Sequence, residues 1–111
     1  MRVQVLPSAK SDLRRGILFY EKQEQGWGAY FLDSVSADID SLQLLAGVHP
    51  VRRDHHRFLA GRFPFWIYYR VERNIAYVVA VLDARQDPEK IWQREQAEQL
   101  RHRRVDEPDR H

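Results

Sequence analysis

The stretch RFPFWIYYRVERNIAYVVAVLDA, residues Arg62 to Ala84, predicts a β-hairpin. Its first half is dense in aromatic and β-branched residues, and its second half holds an unbroken apolar run from Ile75 to Leu82. Both halves have the length and composition of buried strands. The polar Glu-Arg-Asn between them suits a tight turn, with Arg73 and Asn74 as its two central residues. The two strands are therefore expected to be antiparallel neighbours.

A two-residue turn at Arg73 and Asn74 decides which side chains share a face. One face is then wholly apolar and is expected to pack on helices. Its cross-strand pairs are Val71 with Ala76, Tyr69 with Val78, Ile67 with Ala80, Phe65 with Leu82, and Phe63 with Ala84. Because side chains alternate along a strand, a slip of one residue would move each of them to the opposite face.

The opposite face of the predicted hairpin combines arginines with aromatic rings. Its members are Arg62, Trp66, Tyr68, Arg70, Tyr77 and Arg85. Arg62 would stand opposite Arg85, and because like charges repel, Asp83 or a bound anion must compensate. Such a face suits contacts to phosphate or carboxylate groups, with the rings available for stacking. The alternative is that the rings only cover the sheet while the arginines solvate its edge.

Two amphipathic helices are predicted before this hairpin. After a short strand, VQVL, and Pro7, Ser8 can cap a helix whose apolar residues recur at three- and four-residue spacing and which Gly26 ends. A second helix runs to Gly47 with the apolar stripe Phe31, Leu32, Val35, Ile39, Leu42 and Leu45. The next segment, VRRDHHRFLAGRF, is interpreted as one exposed, arginine-rich strand. The pattern turns helical again from Pro88.

This order of elements predicts the α+β class. The expected fold is β-α-α-β-β-β, with a helical hairpin packed on one face of an antiparallel sheet and a C-terminal helix. A chain of 111 residues suits one domain with one modest core. Residues 1–92 are expected to form that domain, and residues 93–111 a C-terminal helical extension and polar tail.

Charge is distributed unevenly along the chain. The net charge is +2, but residues 51–85 alone carry seven arginines against three acids, which is +4. A basic sheet suggests an anionic partner, either nucleic acid or an acidic protein segment. The alternative is that a basic balance is common and simply favours solubility.

Several classes of chemistry find no support in the sequence. There is no cysteine, so disulfides and thiolate catalysis are excluded. The histidines show no metal-ligand spacing, and there is no phosphate-cradling glycine loop, so neither a metal nor a cofactor is expected. No signal-peptide core and no apolar run of membrane-spanning length are found. The protein is therefore expected in the cytoplasm, away from membranes.

The chain resembles the RelE/ParE superfamily of type II toxin-antitoxin systems, in its ParE-like (plasmid stabilisation) branch. The resemblance covers about residues 1–92 and is strongest in FPFWIYYRV followed by VVAVLDARQDP. The segments SAKSDLRRGILFYEKQ and AYFLDSVSADIDSLQLL resemble the two-helix hairpin of that family. The resemblance implies a toxin neutralised by a cognate antitoxin from an adjacent gene, with DNA reached only indirectly, through that antitoxin. ParE-like members block DNA gyrase, whereas RelE-like members cleave mRNA on the ribosome.

The resemblance also bears on whether the protein is an enzyme. RNA cleavage needs a base, an acid and a group that stabilises the phosphate charge. Arg85 matches an arginine of the RelE-like nucleases, and Arg62, Arg70 and Arg85 are the catalytic candidates under that reading. However, Trp66 replaces a family arginine, and Ile91 or Trp92 replaces the C-terminal tyrosine. The sequence therefore favours a protein that binds a target such as DNA gyrase, with a RelE-like ribosome-dependent mRNA endoribonuclease as the alternative.

A third hypothesis is a toxin-like fold that has lost toxicity and survives as a partner-binding module. For the antitoxin, the predicted contacts are Tyr20, Trp27 and Tyr30 on the helices. Arg52 and Arg53 are predicted to join them, so the wrapping segment should carry acidic and apolar residues. The alternative for the three aromatic residues is that they belong to the core.

Overall fold

A computed structural model describes residues 1–86 and contains a five-stranded sheet with helices on one face. The elements are β1 (Arg2–Val5), α1 (Pro7–Gln23), α2 (Trp27–Asp40), α3 (Leu42–Leu45), β2 (Val51–Arg52), β3 (His55–Leu59), β4 (Phe65–Glu72) and β5 (Ile75–Asp83). The strand order is β1-β5-β4-β3-β2. The predicted α+β class and helical hairpin are confirmed. The predicted C-terminal helix and the extension 93–111 lie outside the described residues.

The sheet differs from the prediction in two ways. The strand β1 runs parallel to β5, so the sheet is mixed, while all its other pairings are antiparallel. The segment expected to form one exposed strand is instead the hairpin β2–β3. Arg53 and Asp54 form its turn, with φ values of 54° and 64°. Two consecutive positive φ values are typical of the type I′ turn, which matches the twist of a hairpin.

The two long helices approach each other closely because glycines lie at their contact. A Cβ atom on Gly16 of α1 would come within 2.5 Å of the Phe31 ring on α2. A Cβ atom on Gly28 would come within 2.9 Å of the backbone oxygen of Ile17. Only glycine leaves room at these points, so the ring of Phe31 becomes completely buried. The largest fully buried side chains are Tyr69, Phe31, Leu42, Ile67, Val35 and Val78.

The hairpin β4–β5 follows the predicted register for only part of its length. Arg73 and Asn74 form its turn, with φ values of 50° and 65°, as predicted. The pairs Glu72–Ile75 to Tyr69–Val78 also have the expected register. Beyond them Tyr68 pairs with Ala80, so β5 contains one extra residue, Val79, and a β-bulge. The predicted pairs Ile67–Ala80 and Phe65–Leu82 are therefore wrong, and Arg62 does not stand opposite Arg85.

Two side chains of α1 satisfy the backbone of this bulge. The Ser8 hydroxyl donates to the Val79 carbonyl oxygen over 2.7 Å, and the Asp12 carboxylate accepts from the Val81 amide over 2.9 Å. Ser8 was predicted to cap the helix, but the N-cap position is Leu6, without a side-chain cap. Asp12 also pairs with Arg15 and is only 4% exposed.

The segment between α3 and β2 crosses the helix-side face of the sheet. It begins beside β1, where the Met1 amino group donates to the Gln43 carbonyl oxygen over 3.3 Å. Under β4, the Gly47 amide donates to the Tyr69 hydroxyl oxygen over 2.9 Å, and that oxygen lies 2.6 Å from His49 Nδ1. The ring of His49 then stacks on Phe58 of β3. The segment therefore connects one edge of the sheet to the other.

Candidate interaction surfaces

The face of the sheet turned away from the helices, here called the outer face, has an apolar half created by the bulge. Because β5 gains a residue at Val79, Ala80 and Leu82 turn to the same side as Tyr68 and are buried with it. Trp66 packs against this cluster. Val81 joins the core beneath the helices.

The other half of the outer face carries arginines that lie over aromatic rings. The Arg57 guanidinium lies 3.9 Å from the centre of the Trp66 ring, and that of Arg70 lies 4.9 Å from the centre of the Tyr77 ring. Such cation–π contacts are electrostatically favourable. Arg70 Nε also donates to Glu72 over 2.8 Å, which holds the pKa of that carboxyl below its ordinary value.

The structure thus brings together four of the six residues predicted for this face: Trp66, Tyr68, Arg70 and Tyr77. Sequence reasoning missed Arg57, which the β3–β4 pairing places beside Tyr68. Arg52 lies on the same face, since it pairs with His55, which alternates with the helix-side His56. The register of β3 places Arg57 on this face. That register depends on the β2–β3 turn, which was not predicted from the sequence.

Arg62 lies on the helix side of the molecule. Its Nη1 atom donates to the Tyr30 hydroxyl over 2.8 Å, and its guanidinium lies 5.9 Å from the centre of the Tyr30 ring. This hydrogen bond raises the pKa of Arg62 above its ordinary value. The Tyr30 ring in turn packs edge-on against Phe63. Arg62 therefore belongs to the end of the helical hairpin and not to the outer face.

Arg85 also lies on the helix side. Both oxygens of the Asp83 carboxylate accept from its guanidinium, at 3.1 and 2.9 Å, and the guanidinium lies 5.7 Å from the centre of the Phe19 ring. Burial disfavours the charged form of Asp83, but hydrogen bonds from Arg85 outweigh it and lower the pKa of Asp83. Burial raises the pKa of nearby Tyr20, and the Arg85 charge opposes that shift.

The residues predicted to contact an antitoxin fall into two regions. Tyr20 is only 6% exposed and stacks on Phe31, so it is a core residue. Trp27 and Tyr30 are 43% and 44% exposed and lie at the end of the helical hairpin. Arg52 and Arg53 lie at the β2–β3 turn, at the opposite end of the sheet. The predicted set is therefore not one continuous surface.

The part of the chain that the structure describes offers neither a metal site nor a membrane-spanning helix. Within residues 1–86, no group of three or more His, Asp or Glu side chains could hold a metal ion. No helix in the same range is long and apolar enough to cross a membrane.

Comparison with known proteins identifies a relative in fold. No protein-family model and no curated protein sequence matches the chain. A chain of the solved chromosomal ParDE TA (toxin-antitoxin) system from P. aeruginosa superposes with a TM-score of 0.69 at 16% identity. The match covers 75% of this chain and 95% of that chain. The protein therefore shares its fold with that ParDE chain, as expected for the RelE/ParE-like fold.

Proposed function

We propose that this protein is the toxin of a type II toxin-antitoxin pair of the ParE type. It acts by binding a protein target such as DNA gyrase, and a cognate antitoxin neutralises it. The likeness in fold to a chain of a ParDE system supports this proposal, together with the resemblance of residues 1–92 to ParE-like sequences.

The observation that carries a binding function is the pairing of arginines with rings on the outer face. The Arg57 and Arg70 guanidinium groups lie over two separate rings, those of Trp66 and Tyr77, and do not converge on one point, as catalytic groups around a phosphate would. Aromatic and arginine side chains are enriched among the anchors of protein interfaces. The outer face is therefore better suited to recognising a protein surface than to cleaving RNA.

The nuclease alternative loses support from the positions of its candidate residues. Its catalytic candidates are Arg62, Arg70 and Arg85. Arg62 and Arg85 are held on the helix side by Tyr30 and Asp83, whereas Arg70 lies on the outer face. A transition state that forms at one site cannot be reached from both faces of a sheet.

For the antitoxin, the end of the helical hairpin is the proposed contact region. Phe19, Trp27 and Tyr30 are between 43% and 46% exposed there, and Arg62 lies against Tyr30. Half-exposed rings beside an arginine offer both apolar area and a partner for carboxylates. Arg52 and Arg53 would form a separate contact for acidic residues of the wrapping segment.

A supercoiling assay tests the proposed target. Purified protein should inhibit DNA gyrase, and Arg70→Glu should weaken inhibition about tenfold or more because it reverses a charge on the outer face. Arg14→Glu is the matched control, since Arg14 is exposed on α1, away from that face. Circular dichroism of both variants checks that they fold.

Failure to inhibit gyrase at stoichiometric excess would refute this target. Message cleaved in a translation extract, and mapped by primer extension, would favour the RelE-like alternative. Overexpression that harms no cell in the absence of an antitoxin would instead favour a partner-binding module that has lost toxicity.

A further inference from the structure

A strip of exposed apolar side chains follows the segment that crosses the sheet between α3 and β2. Leu44 is 91% exposed, Val48 69% and Val51 64%. Three more partly exposed apolar residues lie at the same end of the molecule: Met1, Leu45 and Val71. Exposed apolar side chains grouped at one end of a molecule often mark an interaction site. We call these six residues the crossover strip.

The crossover strip is a fixed feature and not a loose loop. It is held beside β1 by the bond between Met1 and Gln43, and under β4 by the bond from Gly47 to Tyr69. Val51 ends it at the far edge, where it pairs with β3. The strip therefore crosses four inter-strand spacings of about 4.8 Å, or about 19 Å in all. That length matches about 13 residues of an α-helix.

Arginines border the strip on the turns at that end of the sheet. Arg53 and Arg73 each occupy the first central position of a type I′ turn, with φ values of 54° and 50°. Asparagine or glycine is favoured at such positions, and arginine adopts this conformation at a cost. Arg2, at the start of β1, lies at the same end, beside Ile75. The presence of arginine at both turns, against the local conformational preference, points to a role for the charge.

We propose that the crossover strip binds an amphipathic helix of a partner protein, one whose apolar stripe is flanked by acidic residues. The apolar side chains would fill the strip, and the acidic ones would contact Arg53 and Arg73. A second copy of this chain is a poorer occupant, because a two-fold contact through the strip would bring the arginines of both copies together. The proposed helix shares Arg53 with the proposed antitoxin contact, but the inference rests on the crossover strip and its bordering arginines and not on the proposed toxin function.

A pair of labelled peptides tests the proposal with the full-length protein. Both have about 14 residues, with leucines at helical i, i+3, i+4 and i+7 spacing. One carries glutamate and the other lysine at the remaining exposed positions. Fluorescence anisotropy should give at least about tenfold tighter binding of the glutamate peptide. Chemical-shift changes in the protein should cluster at the crossover strip and the two turns.

Three variants locate the site without threatening the fold. Val48→Ser should weaken binding of the glutamate peptide about tenfold, because it removes an exposed apolar contact. Arg73→Asn removes a charge while placing a favoured residue in the turn, and should weaken binding about threefold to tenfold. Leu18→Ser is the control, since Leu18 is also exposed but lies on α1, and it should leave binding unchanged.

The proposal is overturned by equal affinity for the two peptides, by an absence of saturable binding, or by affinity that Val48→Ser leaves unchanged. Analytical ultracentrifugation decides the remaining case. A dimer of the protein that Val48→Ser dissociates would make a second copy the occupant and would also overturn the proposal. Peptide binding that persists when gyrase inhibition fails would refute only the gyrase target of the proposed function.

Discussion

Asp12→Ala should destabilise the fold more than its place on a helix suggests. The Asp12 carboxylate is buried and accepts from the Val81 amide just beyond the bulge, so alanine leaves that amide without an acceptor. An unsatisfied buried backbone group costs about 1–3 kcal/mol. The ion pair with Arg15 adds little, since the Arg15 side chain is 66% exposed. The loss should therefore come mainly from the backbone bond.

Asp33→Ala supplies the reference for this measurement. Asp33 lies exposed on α2, so its replacement reports only the higher helix propensity of alanine, about 0.5 kcal/mol. Urea unfolding of both variants should show Asp12→Ala to be less stable than Asp33→Ala by about 1–3 kcal/mol. Asp12→Asn keeps an acceptor oxygen and should lose less than Asp12→Ala.

The bulge gives this prediction a second readout. Ser8→Ala removes the hydroxyl that donates to Val79, at a cost of about 1 kcal/mol. Because Ser8 and Asp12 hold the same bulge, the double variant should depart from additivity by about 0.5 kcal/mol or more. Hydrogen exchange at the Val81 amide should accelerate in Asp12→Ala. Equal stability of Asp12→Ala and Asp33→Ala, with unchanged exchange at Val81, would refute the reasoning.

Two further predictions concern the core and the crossing segment. Gly16→Ala should lower the free energy of unfolding by about 1–3 kcal/mol, because its Cβ atom would clash with the Phe31 ring. Gly61→Ala is the control and should cost far less, since its Cβ atom would meet nothing closer than 3.6 Å. Thermal unfolding compares the two variants. Burial, and to a smaller extent the nearby charge of His56, lower the pKa of His49. His49 therefore binds fewer protons in the folded protein than in the unfolded chain. Stability should therefore be greatest above about pH 6.5 and fall as the pH drops below it, and unfolding of His49→Gln across about pH 5.5–7.5 should lack this loss.

The hairpin β4–β5 could be predicted from sequence because its signals are local. Two apolar segments and the polar residues between them indicate Arg73 and Asn74 as the turn, and the pairs next to it follow. The bulge could not be predicted in this way. It is stabilised by Asp12, which lies 69 residues from Val81, and no local pattern in β5 reports that contact. The same limit applies to the β2–β3 turn, where Arg53 occupies a position that sequence rules assign to asparagine or glycine.

The residues of the candidate site also divide into those whose position can be predicted from local sequence and those whose position depends on distant partners. Trp66 and Arg70 were predicted correctly to share a face because alternation along one strand decides it. Arg62 and Arg85 lie outside the strands, where alternation no longer applies, and tertiary partners decide their positions. Tyr30 and Asp83 are those partners, and neither contact has a signature in the sequence.

The parallel pairing of β1 with β5 has a consequence for how the chain folds. The hairpins β2–β3 and β4–β5 each have a two-residue turn, so their closure costs little chain entropy. The strand β1 can pair only with a strand that begins at Ile75, far along the chain. A nascent chain that has not yet made β5 therefore carries α1 and α2 with an uncovered apolar face, and Asp12 has no amide to bind. The outer face forms only when β5 takes its place between β1 and β4. Any activity that depends on that face is thereby delayed until synthesis has passed the last described strand.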